Sequence, residues 1–172
     1  AVAAVSLCLP VYNIMTAISN LFGIGGSSVI ARALGTKEES RAKNAFALSI
    51  RGAFIAAAAY ALLLALIAKP FLLVIGGDSL SIGYALQYTW GVMIIGGLPT
   101  VLSTVFAHLI RCTGNSKTAG FGITLGAVLN MVLDPLFMFA ILPKGNEVLG
   151  AAIATAISNT TAMLFFLFYM IR

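Results

Sequence analysis

"VLGAAIATAISNTTAMLFFLFYMI", residues 148–171, contains no aspartate, glutamate, lysine or arginine. About 20 mostly apolar residues are enough for an α-helix to cross the roughly 30 Å hydrocarbon core of a bilayer. Residues 1–31 and 79–110 also lack charged side chains, and two further apolar segments lie between these runs. The sequence therefore predicts an all-α, polytopic transmembrane helical bundle of about five spans. Their expected positions are 3–31, 45–68, 82–110, 118–142 and 148–171.

The overall composition excludes an ordinary soluble domain. Hydrophobic residues make up 60% of the 172 residues, charged residues only 9%, and the mean hydropathy is +1.05. Soluble domains carry about a quarter charged residues, which this chain cannot supply to a water-exposed surface. The connectors are too short to hold another domain, so we expect residues 1–172 to form one bundle. The chain starts without methionine or a basic signal segment, and we expect it to be a piece of a longer protein.

The positions of the basic residues predict the orientation in the membrane. If the spans alternate in direction, eight of the ten lysines and arginines fall on one side, within 32–51, within 111–117 and at Arg172. Short cytoplasmic loops are enriched in basic residues. We therefore expect 32–51 and 111–117 to be cytoplasmic. The net charge of +5 then reflects topology rather than nucleic-acid binding.

The connector after the first span carries two helix-end signals. Gly35 can adopt the left-handed conformation that ends a helix. The following "TKEE", residues 36–39, matches a capping box with Thr36 as the N-cap and Glu39 reaching back to it. The sequence therefore predicts that the first helix ends at Gly35 and that Thr36 caps the second.

The sequence carries no pattern typical of an enzyme or of a cofactor site. It has no nucleophile–base pair, phosphate-binding loop or metal-ligand cluster. Its single histidine, His108, has no acid near it in sequence and is expected to be an interfacial residue. Cys8 and Cys112 are expected near opposite membrane faces, whereas a disulfide needs Cα atoms within about 7 Å. We therefore expect no disulfide between these cysteines, and the missing motifs predict neither catalysis nor a bound cofactor.

The fourth span carries a polar stripe. Gly122, Gly126, Asn130 and Asp134 recur every four residues, so they share one face of a helix. Pro135 has no N–H, which leaves the backbone carbonyl four residues earlier without its usual donor. A carboxylate, an amide and a freed carbonyl suit a small hard cation or a proton. The stripe predicts a cation site at Asp134 and Asn130, for a proton or a sodium ion.

A purely structural role for Asp134 is the alternative interpretation. Asn130 and a permanently protonated Asp134 would then only hydrogen-bond neighbouring helices. An aspartate in mid-membrane costs about 2.5–3.5 kcal/mol on insertion scales, so asparagine or serine would serve that purpose more cheaply. The functional interpretation is therefore favoured.

Other polar residues are candidates for the lining of the same cavity. Thr155 and Asn159 lie one turn apart on the fifth span, although hydrogen bonds between helices would explain them equally well. Asn13 and Asn20 lie two turns apart on the first span and are the weaker candidates.

Several stretches resemble the multidrug and toxic compound extrusion (MATE) family. The most specific is "NMVLDPLFMF" (130–139) followed by "GAAIATAIS" (150–158). "GIGGSSVIARALGTKEESRAKNAF" (23–46) and "LIRCTGNSKTA" (109–119) support it. The resemblance implies helices two to six of the N-terminal lobe of a twelve-helix, two-lobe antiporter driven by protons or sodium. The first helix and the C-terminal lobe would lie outside this chain.

The resemblance also implies roles for individual residues. Asn130 and Asp134 match cation-site residues of that lobe, Thr155 matches a polar partner, and Tyr88 corresponds to a tyrosine of the site. The expected activity is export of amphipathic, cationic drugs or metabolites by a multi-pass protein of a prokaryotic plasma membrane. Two alternatives stay open, a lipid-linked oligosaccharide flippase of the same superfamily and a non-transporting membrane scaffold.

The predicted topology can be tested by cysteine labelling. In a background without Cys8 and Cys112, Lys37→Cys and Ser116→Cys should react with a membrane-impermeant maleimide only from the cytoplasmic side. Gly145→Cys should react only from outside, because the basic connectors stay in the cytoplasm. Labelling of Lys37→Cys from outside would overturn the orientation.

Overall fold

The computed structural model describes residue 6 and residues 8–74, 82–141 and 147–172. All regular structure in this part of the chain is helical. Four helices are long and apolar enough to cross a membrane, and a bent helix pair counted as one span gives a fifth. The predicted all-α bundle of about five spans is therefore confirmed. The elements are α1 (Leu9–Gly35), α2 (Glu39–Val74), α3 (Ile82–Tyr88), a π-helix π1 (Thr89–Ile95), α4 (Gly97–Cys112), α5 (Ser116–Pro135), a second π-helix π2 (Leu136–Ile141) and α6 (Glu147–Ile171).

The third span consists of α3, π1 and α4, and it bends by 48° at Gly96. The Gly96 N–H donates to the carbonyl of Gly91, five residues earlier, at 3.0 Å, which is the π-helical pattern. Pro99 lies in the first turn of α4, where a helix does not use its N–H groups. The break in the third span therefore lies just before the proline.

The fourth span consists of α5 and π2, which meet after Pro135. Because Pro135 has no N–H, it cannot donate to the carbonyl of Met131. The next N–H, that of Leu136, donates to Leu133 instead. The chain therefore stays helical at Pro135 and changes helix type there.

Both π-helices pack against small residues at the start of α6. A Cβ atom added to Gly91 would lie 2.6 Å from Cβ of Ala152. One added to Gly150 would lie 2.9 Å from the carbonyl oxygen of Phe137. Small residues allow such close helix contacts in membranes, where irregular backbone must be covered by protein. The start of α6 therefore covers both irregular segments.

The end of α1 differs from the prediction. Gly35 continues the helix, and the left-handed residue is Lys37, with φ of 59°. The Lys37 N–H donates to Leu34 at 3.1 Å and the Glu38 N–H donates to Ala33 at 2.8 Å. These two bonds form a Schellman motif, in which the left-handed position follows the last helical residues. The expectation of a left-handed Gly35 is therefore wrong.

The predicted capping box is also wrong. The N–H of Thr36 donates to the carbonyl of Arg32 at 3.1 Å, so Thr36 belongs to the end of α1. Its hydroxyl donates to Glu38 Oε1 at 3.0 Å, and Arg41 Nη1 lies 3.3 Å from Glu38 Oε2. These donors hold the pKa of the Glu38 carboxyl below its usual range. The Schellman motif uses the whole three-residue connector, which leaves no extended N-cap conformation for Thr36.

Overpacking at Gly150 should loosen the contact between α6 and π2. In the full-length protein, Gly150→Ala places a methyl group against the Phe137 backbone, which cannot rotate away. We expect a loss of about 1–3 kcal/mol, measured as a lower Tm in detergent. Gly120→Ala, on α5, is the matched control because nothing lies within 4 Å of its added Cβ. Equal Tm values for the two variants would contradict the close contact.

Candidate functional site

The polar stripe of the fourth span meets the fifth span at Asn130. Asn130 Nδ2 lies 3.2 Å from Asp134 Oδ1 and 3.4 Å from Thr155 Oγ1. Thr155 donates its own hydroxyl proton to the carbonyl of Ala151 at 2.9 Å. The structure therefore brings together three of the predicted site residues, with the Asn130 amide between the carboxylate and the hydroxyl.

Glycines on the same stripe allow this contact. Gly122 and Gly126 are buried against α6. A Cβ atom on Gly126 would lie 3.2 Å from Cβ of Ala162, closer than most side chains tolerate. Because the two backbones approach here, the short side chain of Asn130 can reach Thr155 on the neighbouring helix.

A groove of about 420 Å³ runs beside these residues, lined mainly by the third, fourth and fifth spans and also by Tyr12 of the first. Asn130, Thr155 and Asn159 line it. Asp134 is half-buried and lies one turn beyond Asn130, outside the lining. The other lining residues are Tyr12, Ser103, Thr104, Ala107, His108, Arg111, Ile123, Gly126, Ala127, Ala162 and Phe166.

Asn159 joins the fifth span to the bend of the third span. Its Nδ2 atom lies 2.7 Å from Thr100 Oγ1, and the Thr100 hydroxyl donates to the carbonyl of Gly96 at 2.7 Å. Asn159 therefore makes the hydrogen bond between helices and also lines the groove, so both interpretations of this residue apply.

Two predicted lining residues, Asn13 and Asn20, are not part of the groove that the described residues form. The face of α1 that packs inward is set by its buried residues Val11, Met15, Ser19 and Gly23. Asn13 and Asn20 lie more than about 100° around the helix from the centre of that face. Tyr12 lies closer to it and lines the groove instead. The side chain of Tyr88 lies outside the described part of the structure.

Comparison with known proteins assigns the family. Residues 1–136 match the family model described as MatE. The chain belongs to the MATE family. It is 31% identical over 171 residues to the multidrug export protein MepA of Staphylococcus saprophyticus, covering 99% of this chain and 37% of MepA. Its relatives are transporters, and it is part of the N-terminal lobe of a multi-pass integral membrane protein.

Solved MATE structures share the fold of this lobe. An inward-facing multidrug resistance MATE transporter matches with a TM-score of 0.90 and 28% identity, over 97% of this chain and 37% of that one. An outward-facing multidrug resistance MATE transporter also matches with a TM-score of 0.90 and 28% identity, over 98% of this chain and 36% of that one. The lobe fold therefore agrees equally well with structures of both orientations. The MATE chain described here spans about 37% of the length of its MepA relative.

The sequence prediction missed most of the third-span side of this MATE groove. Thr100 contacts Asn159, and Thr104, His108 and Arg111 line the groove. A Cβ atom on Gly23 would lie 2.9 Å from His108 Cδ2, so this glycine gives the imidazole its space. These four polar residues recur at spacings of four, four and three. The same spacing argument that identified Asn130 and Asp134 would have found them.

Proposed function

We propose that this chain is the N-terminal-lobe part of a secondary antiporter that exports amphipathic organic cations in exchange for protons or sodium ions. The observation that carries the proposal is the Asn130 amide, which contacts Asp134 on one side and Thr155 on the other. It connects a group whose charge can change to a residue that lines the groove. A coupling ion at Asp134 can therefore alter the substrate side through Asn130.

The coupling between the ion and the groove follows from which groups donate and which accept hydrogen bonds. The ionised carboxylate of Asp134 only accepts hydrogen bonds, and the Asn130 amide donates to it. A proton on Asp134 weakens the hydrogen bond that the amide donates, and a sodium ion there favours the amide oxygen instead, so either ion changes the energy of the observed amide orientation. Because an ion shifts a conformational equilibrium only through its different affinities for the two states, this change is what drives exchange. Pro135 places a switch of helix type directly after the acid.

The groove chemistry gives a second candidate some support. Arg111 and His108 line the groove at its predicted cytoplasmic end. Cationic groups there would suit the pyrophosphate of a lipid-linked oligosaccharide, as in a flippase. Only Arg111 is permanently charged. It lies in the last turn of α4, where a cation interacts favourably with the helix dipole, so its presence does not require a pyrophosphate ligand. The antiporter is therefore preferred.

The proposed setting is a prokaryotic plasma membrane, with 32–51 and 111–117 in the cytoplasm. The partners are the lipid bilayer, a small organic substrate and the remainder of the transporter, namely its first helix and C-terminal lobe. We propose no nucleic-acid partner and no cofactor besides the coupling ion.

Removing the titratable group should abolish coupling in the full-length transporter. We expect Asp134→Asn to insert and express normally but to reduce ion-driven efflux from proteoliposomes to the level of protein-free liposomes. Asp134→Glu should retain part of the activity, because its charge can still change. Asn130→Ala should reduce efflux less than Asp134→Asn. Wild-type efflux by Asp134→Asn under the same gradient would show that the acid is structural.

The response of Asn130→Ala should distinguish the coupling ions. In the observed orientation the amide N–H₂ faces Asp134, which a proton on the acid can accommodate. Sodium prefers oxygen ligands, so it would require Asn130 Oδ1 to turn towards Asp134. If sodium drives efflux, Asn130→Ala should raise the sodium concentration for half-maximal efflux about tenfold or more, the effect of losing one hydrogen-bond-strength contact to a charge. Efflux that needs no sodium but still requires a pH gradient would assign the proton.

A further inference from the structure

The hydrogen bonds around Asn159 determine which way its amide faces. The Thr100 hydroxyl has one proton, and two polar atoms lie at 2.7 Å from its oxygen, the Gly96 carbonyl oxygen and the Asn159 amide. The carbonyl oxygen of Gly96 can only accept, so the hydroxyl proton goes to it. Thr100 Oγ1 must then accept from Asn159, which presents its N–H₂ group.

The opposite orientation of the Asn159 amide is disfavoured because the Thr100 hydroxyl has only one proton. It would place Asn159 Oδ1 against Thr100 Oγ1, and the single hydroxyl proton could satisfy only one of two oxygen–oxygen contacts of 2.7 Å. The other contact would bring two lone pairs together at hydrogen-bond distance. Because both partners of the observed network are uncharged, this orientation does not depend on the charge of Asp134. The amide of Asn130, by contrast, faces that acid directly.

The remaining polar atom of Asn159 is its carbonyl oxygen. Asn159 is half-buried and lines the groove, and no donor among the described residues is hydrogen-bonded to its Oδ1. An amide oxygen has two lone pairs, and leaving it without a donor in a desolvated site costs about 1–3 kcal/mol. A ligand that fills this part of the groove must therefore bring a donor to Asn159.

We propose that Asn159, held in orientation by Thr100, is a specificity-determining residue that favours organic cations carrying at least one N–H. A protonated amine can donate to Asn159 Oδ1, whereas a quaternary ammonium group of the same skeleton has no proton to donate. Sites built to hydrogen-bond a substrate group discriminate against analogues that lack it, because the polar group of the site is left without a partner. The inference rests on the proposed export of organic cations and names the class of cation.

The test compares two cations in the full-length transporter. The probes are a dye with a dimethylaminoalkyl side chain and its N-methylated trimethylammonium analogue, at a pH where the amine is protonated. Ion-driven efflux of each from proteoliposomes gives a rate ratio. We expect the unsubstituted transporter to favour the protonated amine by about tenfold, as one hydrogen bond to a charged donor implies. Asn159→Leu should bring the ratio close to one by slowing export of the amine.

The Thr100 variants separate orientation from packing. Thr100→Val keeps the side-chain shape but removes the acceptor that fixes the Asn159 amide, so the ratio should fall although Asn159 is present. Thr100→Ser keeps the hydroxyl and should keep the ratio. Leu66→Ala is the control for general damage, since this second-span side chain is 74% exposed. It should keep both rates.

The outcomes distinguish the two proposals. A ratio near one in the unsubstituted transporter, or a ratio that Asn159→Leu and Thr100→Val leave unchanged while ion-driven efflux persists, overturns the role of Asn159. If Asn159→Leu fails to fold, the ratio in Thr100→Val against Thr100→Ser decides the question. Absence of ion-driven efflux of either cation by the unsubstituted transporter overturns the proposed antiport itself.

Discussion

No water is available in the lipid-facing core of a bilayer to satisfy a backbone N–H or C=O, so departures from the α-helix are tolerated where protein covers them or a water-filled cavity adjoins them. In the described part of the chain, π1 and π2 are such departures, and both pack on α6. Gly150 and Ala152 lie at two of these contacts, where an added Cβ atom would be too close. The bend at Gly96, and the position of Asp134 just before π2, therefore both depend on how the start of α6 fits between the two segments.

The number of spans could be predicted because charged residues are excluded from lipid, so uncharged runs in the sequence mark the spans directly. The helix ends could not be predicted in the same way. Glycine favours the left-handed conformation locally, yet Lys37 adopts it, because the position is decided by which carbonyls two consecutive N–H groups can reach. Likewise, the helical repeat groups Asn13 with Asn20, but it does not indicate which neighbour that face meets.

The residues of the candidate site also differ in how far the sequence alone predicts them. Asn130 and Asp134 were predictable because they lie one turn apart on a single helix, where spacing alone determines the shared face. Thr155 was matched to them through the family resemblance, and the structure shows the hydrogen bond. The pairing of Asn159 with Thr100 depends on a bend in one span and its contact with another. Spacing within one helix carries no information about such a pairing.

The three-residue connector between α1 and α2 limits how these helices can move. Gly35 and Glu39 are separated by four residue steps, so even a fully extended chain keeps their Cα atoms within about 14 Å. The bonds from Lys37 to Leu34 and from Glu38 to Ala33 shorten that reach further. The first two spans can therefore move far apart only at the ends that lie away from this connector. A displacement of one helix end at the connector must be followed by the other.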